Sequence, residues 1–344
     1  MSNPIEAGNS EKIHALTTVK QSTSLQTQHD LNPGIDLQID ALDNIHVNLS
    51  ALQRRTSTLK GRRSVKKQWQ AAWLLKAISC IDLTTLSGDD TPGRVKRLCA
   101  KARHPVRPDL VEALGIQDLN LTTGAICVYH EMVETAVEAL QGTNIPVAAV
   151  STGFPHGLSP MKQRIAEIEA SVKAGAKEID IVITRHHVLR QNWQALYDEV
   201  KAFKQACGKG VHLKAILAVG ELATMRNVAK ASMVSMMAGA DFIKTSTGKE
   251  KTNATLDVTL VMIRMIREYM DFTGYKVGYK PAGGISTAKD AIAYQILMKE
   301  ELDNEWLQPH LFRFGASSLL GDIERQLEHF VTGQYSAGHR HPIS

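Results

Sequence analysis

The chain has 344 residues, 43% of them hydrophobic and 22% charged, and carries a net charge of +5, the make-up of an ordinary globular protein of one large domain or two smaller ones. No stretch approaches the roughly 20 unbroken apolar residues of a membrane helix, and the start MSNPIEAGNSEKIHALTT lacks the basic-then-apolar layout of an export signal. Cys80, Cys99, Cys127 and Cys207 lie far apart with no C-x-x-C pair, which suits reduced thiols in a cytoplasmic protein better than disulfides or a zinc site.

Residues 1–63 are polar and weakly periodic and read as a flexible extension with at most one short helix. At its end the segment QRRTSTLKGRRSVKKQW (53–69) gathers much of the positive charge. It reads as a solvated basic face rather than a surface for nucleic acid. From about residue 70 a rhythm of apolar, β-branched runs sets in: ISCIDLTTL (78–86), AICVY (125–129), PVAAVST (146–152) and EIDIVIT (178–184). Four more follow: HLKAILAVG (212–220), DFIKTST (241–247), KVGYKPAGG (276–284) and LFRFGASSLL (311–320). Segments of helical spacing, such as LDVTLVMIRMIREYM, separate most of them. Eight strands alternating with helices predict a (β/α)8 TIM barrel over residues 64–335, followed by a short tail, 336–344. A doubly wound open sheet is the competing arrangement, but no glycine-rich dinucleotide turn follows the first run.

In a barrel, inward positions alternate along each strand and the active site gathers at the strands' C-terminal ends. Asp82, Asp180, Lys214, Lys244 and Lys280 each interrupt an apolar run. Isolated charges in a lumen cost several kcal/mol apiece, so five of both signs are expected to pair with one another. Lys244 and Lys280 fall on consecutive strands, about 4.8 Å apart. Burial and like charge there lower a lysine's pKa, and a neutral lysine forms a Schiff base with a carbonyl. Asp180 is placed to move protons, and Lys214 to hold that carboxylate ionised. Gly248-Lys249, Gly283-Gly284-Ile285-Ser286 and Gly315-Ala316-Ser317-Ser318 follow the last three runs and read as loops that cradle a phosphate. His186-His187 and His339-Arg340-His341 lack partners at metal spacing and are expected at the surface, with no metal and no cofactor.

The motifs DFIKTSTGK, KPAGGIST, FGASSLL, EIDIVI, IDLTTL, GAICVY and FPHG together resemble the deoxyribose-phosphate aldolase family in order and spacing, from about residue 70 to 330. The resemblance implies a metal-free Schiff-base aldolase on a (β/α)8 barrel. It would cleave 2-deoxy-D-ribose 5-phosphate reversibly to acetaldehyde and D-glyceraldehyde 3-phosphate, in deoxyribonucleoside breakdown. It implies Lys244 as the Schiff-base lysine, Lys280 as the neighbour that perturbs it, Asp180 as the proton carrier and Lys214 as its support. Asp82 and Thr84, with Cys127 and Thr245, would line the sugar pocket. Gly248, Lys249, Gly283, Gly284, Ser286, Gly315, Ser317 and Ser318 would hold phosphate, although Ser286 stands where the family commonly has arginine. The partner so implied is a phosphorylated sugar, with neither membrane nor nucleic acid; association into a homo-oligomer stays open. The competing readings are a transaldolase-like Schiff-base lyase on the same barrel and a basic nucleic-acid scaffold.

Overall fold

The computed structural model describes residues 31–341. Among them eight short strands form one parallel sheet: β1 (Ile81–Thr84), β2 (Ala125–Tyr129), β3 (Val147–Ser151), β4 (Glu178–Val182), β5 (His212–Ile216), β6 (Phe242–Lys244), β7 (Gly278–Lys280) and β8 (Phe314–Ala316). The order is β7-β6-β5-β4-β3-β2-β1-β8. Parallel bridges Tyr279–Phe312 and Ala282–Gly315 join the two ends and close the barrel. Each expected run holds one strand, trimmed at its ends. Ile78, for example, belongs to the helix Lys67–Ser79 that leads into β1.

Closure staggers the strands, so rows of paired residues spiral around the lumen. One row carries Thr84, Cys127, Ala148 and Glu178; another carries Asp180, Lys214, Phe242 and Gly278. The next, nearer the mouth, carries Val182, Ile216, Lys244 and Lys280. Residues of period two therefore face the lumen in β4 to β7, and those between them pack on the surrounding helices.

The helix Leu256–Thr273 shows how sequence sets this outer layer. Thr255 accepts the Val258 N–H at its start, Asp257 lies in the first turn, and Gly274 in the left-handed region ends it. Val258, Val261, Met262, Met265, Ile266 and Tyr269 recur every three or four positions and are buried.

That helix also receives the N-terminal segment. The sequence places the end of a flexible polar extension at residue 63, but residues 31–63 are docked on the barrel, and residues 1–30 lie outside the described region. Asn32 donates to Asp241 Oδ1 (2.8 Å), Met236 O (2.8 Å) and Ala240 O (2.9 Å), and accepts from the Tyr269 hydroxyl (3.0 Å). Leu42, Leu52 and Leu59 are buried in the main core. Three short helices, Ile39–Asp43, Leu49–Ser57 and Leu59–Arg62, carry them. Single leucines spaced along a polar segment gave too weak a periodicity to reveal this. The basic segment is also less free than its composition suggests: Arg55 and Arg63 pair with Glu300, Arg55 with Glu301, and Lys60 with Asp290. At the other end His341, expected at the surface, is buried, with Nε2 2.6 Å from Ser336 Oγ and 2.9 Å from Glu328 Oε2.

Each fully buried leucine is worth about 2 kcal/mol, an upper figure because unfolded chains bury some surface too. A chain starting at Ser64 should therefore melt on the order of 10 °C below one starting at residue 31. Equal midpoints in thermal unfolding would show that the docked segment adds nothing to the fold.

Candidate active site

β6 ends on Lys244 and β7 on Lys280, paired across the sheet, so both side chains enter the lumen at one height. Lys244 is 3% exposed, and Lys214, Lys280, Asp82 and Asp180 are fully buried. Asp180 Oδ2 accepts from Lys244 Nζ and from Lys280 Nζ, each at 2.7 Å. Its Oδ1 accepts no hydrogen bond from the described residues; Lys214 Nζ stands 3.5 Å away, an ion-pair distance. Lys280 also donates to Asp82 Oδ2. Two ammonium-forming groups thus share one carboxylate oxygen, with a further carboxylate on the Lys280 side.

The electrostatics separate the two lysines. Burial pushes Lys244 below the ordinary lysine range; Asp180 opposes this and Lys280 adds to it. Desolvation is therefore the larger cause, and like charge the smaller. Burial acts on Lys280 as well, but Asp180 and Asp82 outweigh it and hold Lys280 above that range. Asp180 is held well below the carboxylate range, because Lys214, Lys244 and Lys280 together overcome its burial. The set is one amine inclined to lose its proton, one that keeps it, and a carboxylate in hydrogen-bond contact with both.

The remaining expected residues divide. Lys214 belongs to the cluster, but its nearer partners are Asp82 Oδ2 (2.9 Å) and Glu178, and Asp180 comes third. Asp82 does not line a pocket mouth: it is buried, with Lys214 and Lys280 on Oδ2 and Arg313 on Oδ1. Thr84 is half-buried near the rim and its hydroxyl donates to Asp82 O (2.6 Å). Cys127 sits in an apolar wall with Ala148, Val150, Phe154, Val182 and Ile216, and burial pushes its thiol up. Thr245 is corrected: it follows Lys244, and its hydroxyl accepts the Ala282 N–H (2.9 Å) and donates to Ala282 O (3.1 Å). That clamps the sixth loop to the seventh and leaves the hydroxyl one acceptor lone pair but no proton to give a sugar. Ser246 Oγ, by contrast, is buried without a partner among the described residues.

The three glycine-rich loops do follow β6, β7 and β8 at the barrel's C-terminal end. Gly283 and Gly284 both have positive φ (81° and 78°), a backbone that turns successive N–H groups outward and that side chains disfavour. At Gly315 a Cβ would come within 3.3 Å of Lys280 Cε, so glycine keeps space over that lysine. Gly284, Ser286, Ser317 and Ser318 are exposed, and Ser318 caps the helix Leu319–Thr332 without a side-chain bond. In the sixth loop the expectation for Gly248 fails: its N–H and that of Thr247 donate to the Glu250 carboxylate (3.1 and 3.0 Å). Lys249 lies exposed beside it, with Nζ 3.3 Å from Leu86 O.

Two charged residues of the lumen escaped the sequence reading, Glu178 and Arg313. Glu178 stands two residues before Asp180, on the same face by period two, and that spacing was a usable signal. Arg313 precedes β8 between two phenylalanines, where nothing local distinguishes it from a strand-end arginine that reaches water.

A closed parallel barrel with buried amines beneath its C-terminal loops defines an enzyme of the (β/α)8 class. Residues 76–319 match the DeoC/LacD aldolase family. The chain is 56% identical over 315 residues to the deoxyribose-phosphate aldolase of Homo sapiens, covering 91% of this chain and 99% of that one. With the deoxyribose-phosphate aldolase of Mus musculus it shares 57% identity over 313 residues, 90% and 98% of the two chains. The solved tetrameric deoxyribose phosphate aldolase of Aeropyrum pernix has the same fold, with a TM-score of 0.57 at 22% identity over 80% of this chain and 97% of that one. The chain belongs to the deoxyribose-phosphate aldolase family, and is thus a carbon–carbon lyase.

Proposed function

We propose that this chain cleaves 2-deoxy-D-ribose 5-phosphate reversibly to acetaldehyde and D-glyceraldehyde 3-phosphate through a Schiff base on Lys244. The observation that carries the assignment is the asymmetry at Asp180: two buried lysines share one oxygen, and only Lys244 is pushed down. The unprotonated Lys244 Nζ attacks C1 of the open-chain sugar. The carbinolamine loses water and becomes an iminium ion. That cation draws the electron pair of the C2–C3 bond as the C3 hydroxyl gives up its proton. The bond breaks, D-glyceraldehyde 3-phosphate leaves, and an enamine stays on the enzyme. Protonation at C2 restores the iminium, and water releases acetaldehyde and the free amine. Lys280, which remains charged, is the proton donor within reach, and Asp180 takes and returns protons between the lysines and solvent. Lys214 keeps Asp180 ionised. Thr84 and Cys127 bound the space beside the reacting carbons.

Phosphate is assigned to the backbone donors of Gly283 and Gly284 and to Ser317 and Ser318 at the start of the helix Leu319–Thr332; the Gly315 N–H, expected to join them, is taken by Pro281 O (2.9 Å). Lys249 lies at the rim, and Ser286 contributes no charge. We place the reaction in the cytosol, where the four free, buried cysteines would stay reduced.

Borohydride reduction in the presence of acetaldehyde should fix a two-carbon adduct on Lys244, located by peptide mapping, and Lys244→Ala should abolish it; an adduct on Lys280 would reverse the roles. Ser286→Arg should add a charge-assisted bond to phosphate, worth roughly 1.5–3 kcal/mol at best. It should lower KM for deoxyribose 5-phosphate by about tenfold at low salt and leave unphosphorylated deoxyribose unaffected. Equal effects on both substrates would place phosphate elsewhere.

A further inference from the structure

Beneath the lysine pair lies a deeper tier. Arg313 reaches across the lumen, with Nη1 2.5 Å from Asp82 Oδ1 of β1 and Nη2 2.7 Å from Glu178 Oε1 of β4. The other Glu178 oxygen takes Lys214 of β5, and Lys214 in turn meets Asp82 Oδ2 at 2.9 Å. Arg313, Asp82, Lys214 and Glu178 thus close a ring of four buried groups. The Phe242 ring lies against it, its centroid 5.7 Å from Lys214 Nζ and 6.0 Å from Arg313 Cζ. Gly278 gives that ring its room, since a Cβ there would lie 2.3 Å from it.

The ring holds two cations and two carboxylates, so it has no charge to give the tier above. That tier holds Lys244 and Lys280 against its one carboxylate, Asp180, and Lys280 also reaches down to Asp82 of the ring. Fully protonated, the cluster would carry four cations and three carboxylates, an uncompensated charge in a closed lumen. Lys280 touches two carboxylates and Lys244 one, so the surplus proton is held most weakly at Lys244.

We propose that Arg313 and Glu178 are positioning residues for the amine chemistry: their ring with Asp82 and Lys214 keeps the deep tier neutral, so the surplus proton of the cluster leaves from Lys244. Neither touches the reacting atoms. The inference rests on Lys244 being the Schiff-base amine. The titratable groups around Lys244 are Asp180 of β4, Lys280 of β7 and the Cys127 thiol of β2. Those around the ring are His212 of β5, Lys280, Asp180, and Cys80 just ahead of β1. Burial keeps His212 toward its neutral form and Cys80 toward its thiol, so neither alters the count near neutral pH.

The signs follow. Arg313→Gln removes a positive charge, Lys244 holds its proton to higher pH, and the acid limb of the rate profile moves up. Glu178→Gln removes a negative charge and moves the limb down. Each shift should be about one pH unit, the size of one nearby charge. Arg313→Lys and the double variant Glu178→Gln/Arg313→Gln keep the balance and should leave the limb in place. The experiment measures the pH dependence of kcat/KM for deoxyribose 5-phosphate and of borohydride trapping with acetaldehyde, on full-length chains checked for folding by circular dichroism. Opposite shifts that cancel in the double variant support the proposal. Equal-signed shifts or none, with Lys244 still trapped, overturn it. If the single variants do not fold, a limb displaced by a unit in either charge-balanced variant overturns it just as well. Absence of any Lys244 adduct in the unmodified chain would instead remove the Schiff-base reading, and this inference with it.

Discussion

Asp180 Oδ2 is the atom on which the rest of the site depends. A closed barrel offers its lumen little water, and a charge placed there has to find its counter-charge in the walls. Seven ionisable side chains meet that condition by sharing oxygens: Asp180 serves Lys244 and Lys280, Asp82 serves Lys214, Lys280 and Arg313, and Glu178 serves Lys214 and Arg313. Every group but Lys244 touches at least two partners of opposite sign. The group left with one, at the end of β6, is the one that burial carries below its ordinary range. Reactivity here comes from unequal pairing among buried groups rather than from any residue's identity.

The barrel supplies what that arrangement needs. Its stagger sets Asp180 and Lys214 one row below Lys244 and Lys280, so two tiers can interlock. Its late loops supply backbone donors, with glycine where a side chain would crowd Lys280 or spoil the turn. The Thr245 hydroxyl fastens the sixth loop to the seventh through Ala282, and Glu250 ties down the two N–H groups that follow. The sixth loop is thus held from within and fastened to the start of the seventh.

Much of this was legible in the chain. Eight β-branched runs at regular spacing give eight strands because buried parallel strands read as apolar runs, and a charge inside such a run is conspicuous. Lys244, Lys280, Asp180, Lys214 and Asp82 were found that way, and the structure brings them together. What escaped depends on partners distant in sequence. The Thr245 hydroxyl gives its proton to Ala282, 37 positions away. The Gly248 donor is taken by a glutamate two residues on, which no motif announced. Asn32 docks through bonds to Asp241, Met236, Ala240 and Tyr269, more than 200 residues away, and a polar residue in a polar segment carries no sign of that. Arg313 was invisible for the same reason, since its worth lies in Asp82 and Glu178.

The central claim is that Lys244 is the one cluster cation that gives up its proton readily while Lys280 and Lys214 keep theirs. The most direct measurement is a titration of the lysine side-chain amines by nitrogen-detected NMR, with Lys244→Met, Lys280→Met and Lys214→Met used to assign the signals. The account predicts that Lys244 deprotonates below the ordinary lysine value of about 10.4, with Lys280 and Lys214 still charged at the alkaline end of the folded range. A Lys244 that titrates with the surface lysines, or a Lys280 that loses its proton first, would contradict it.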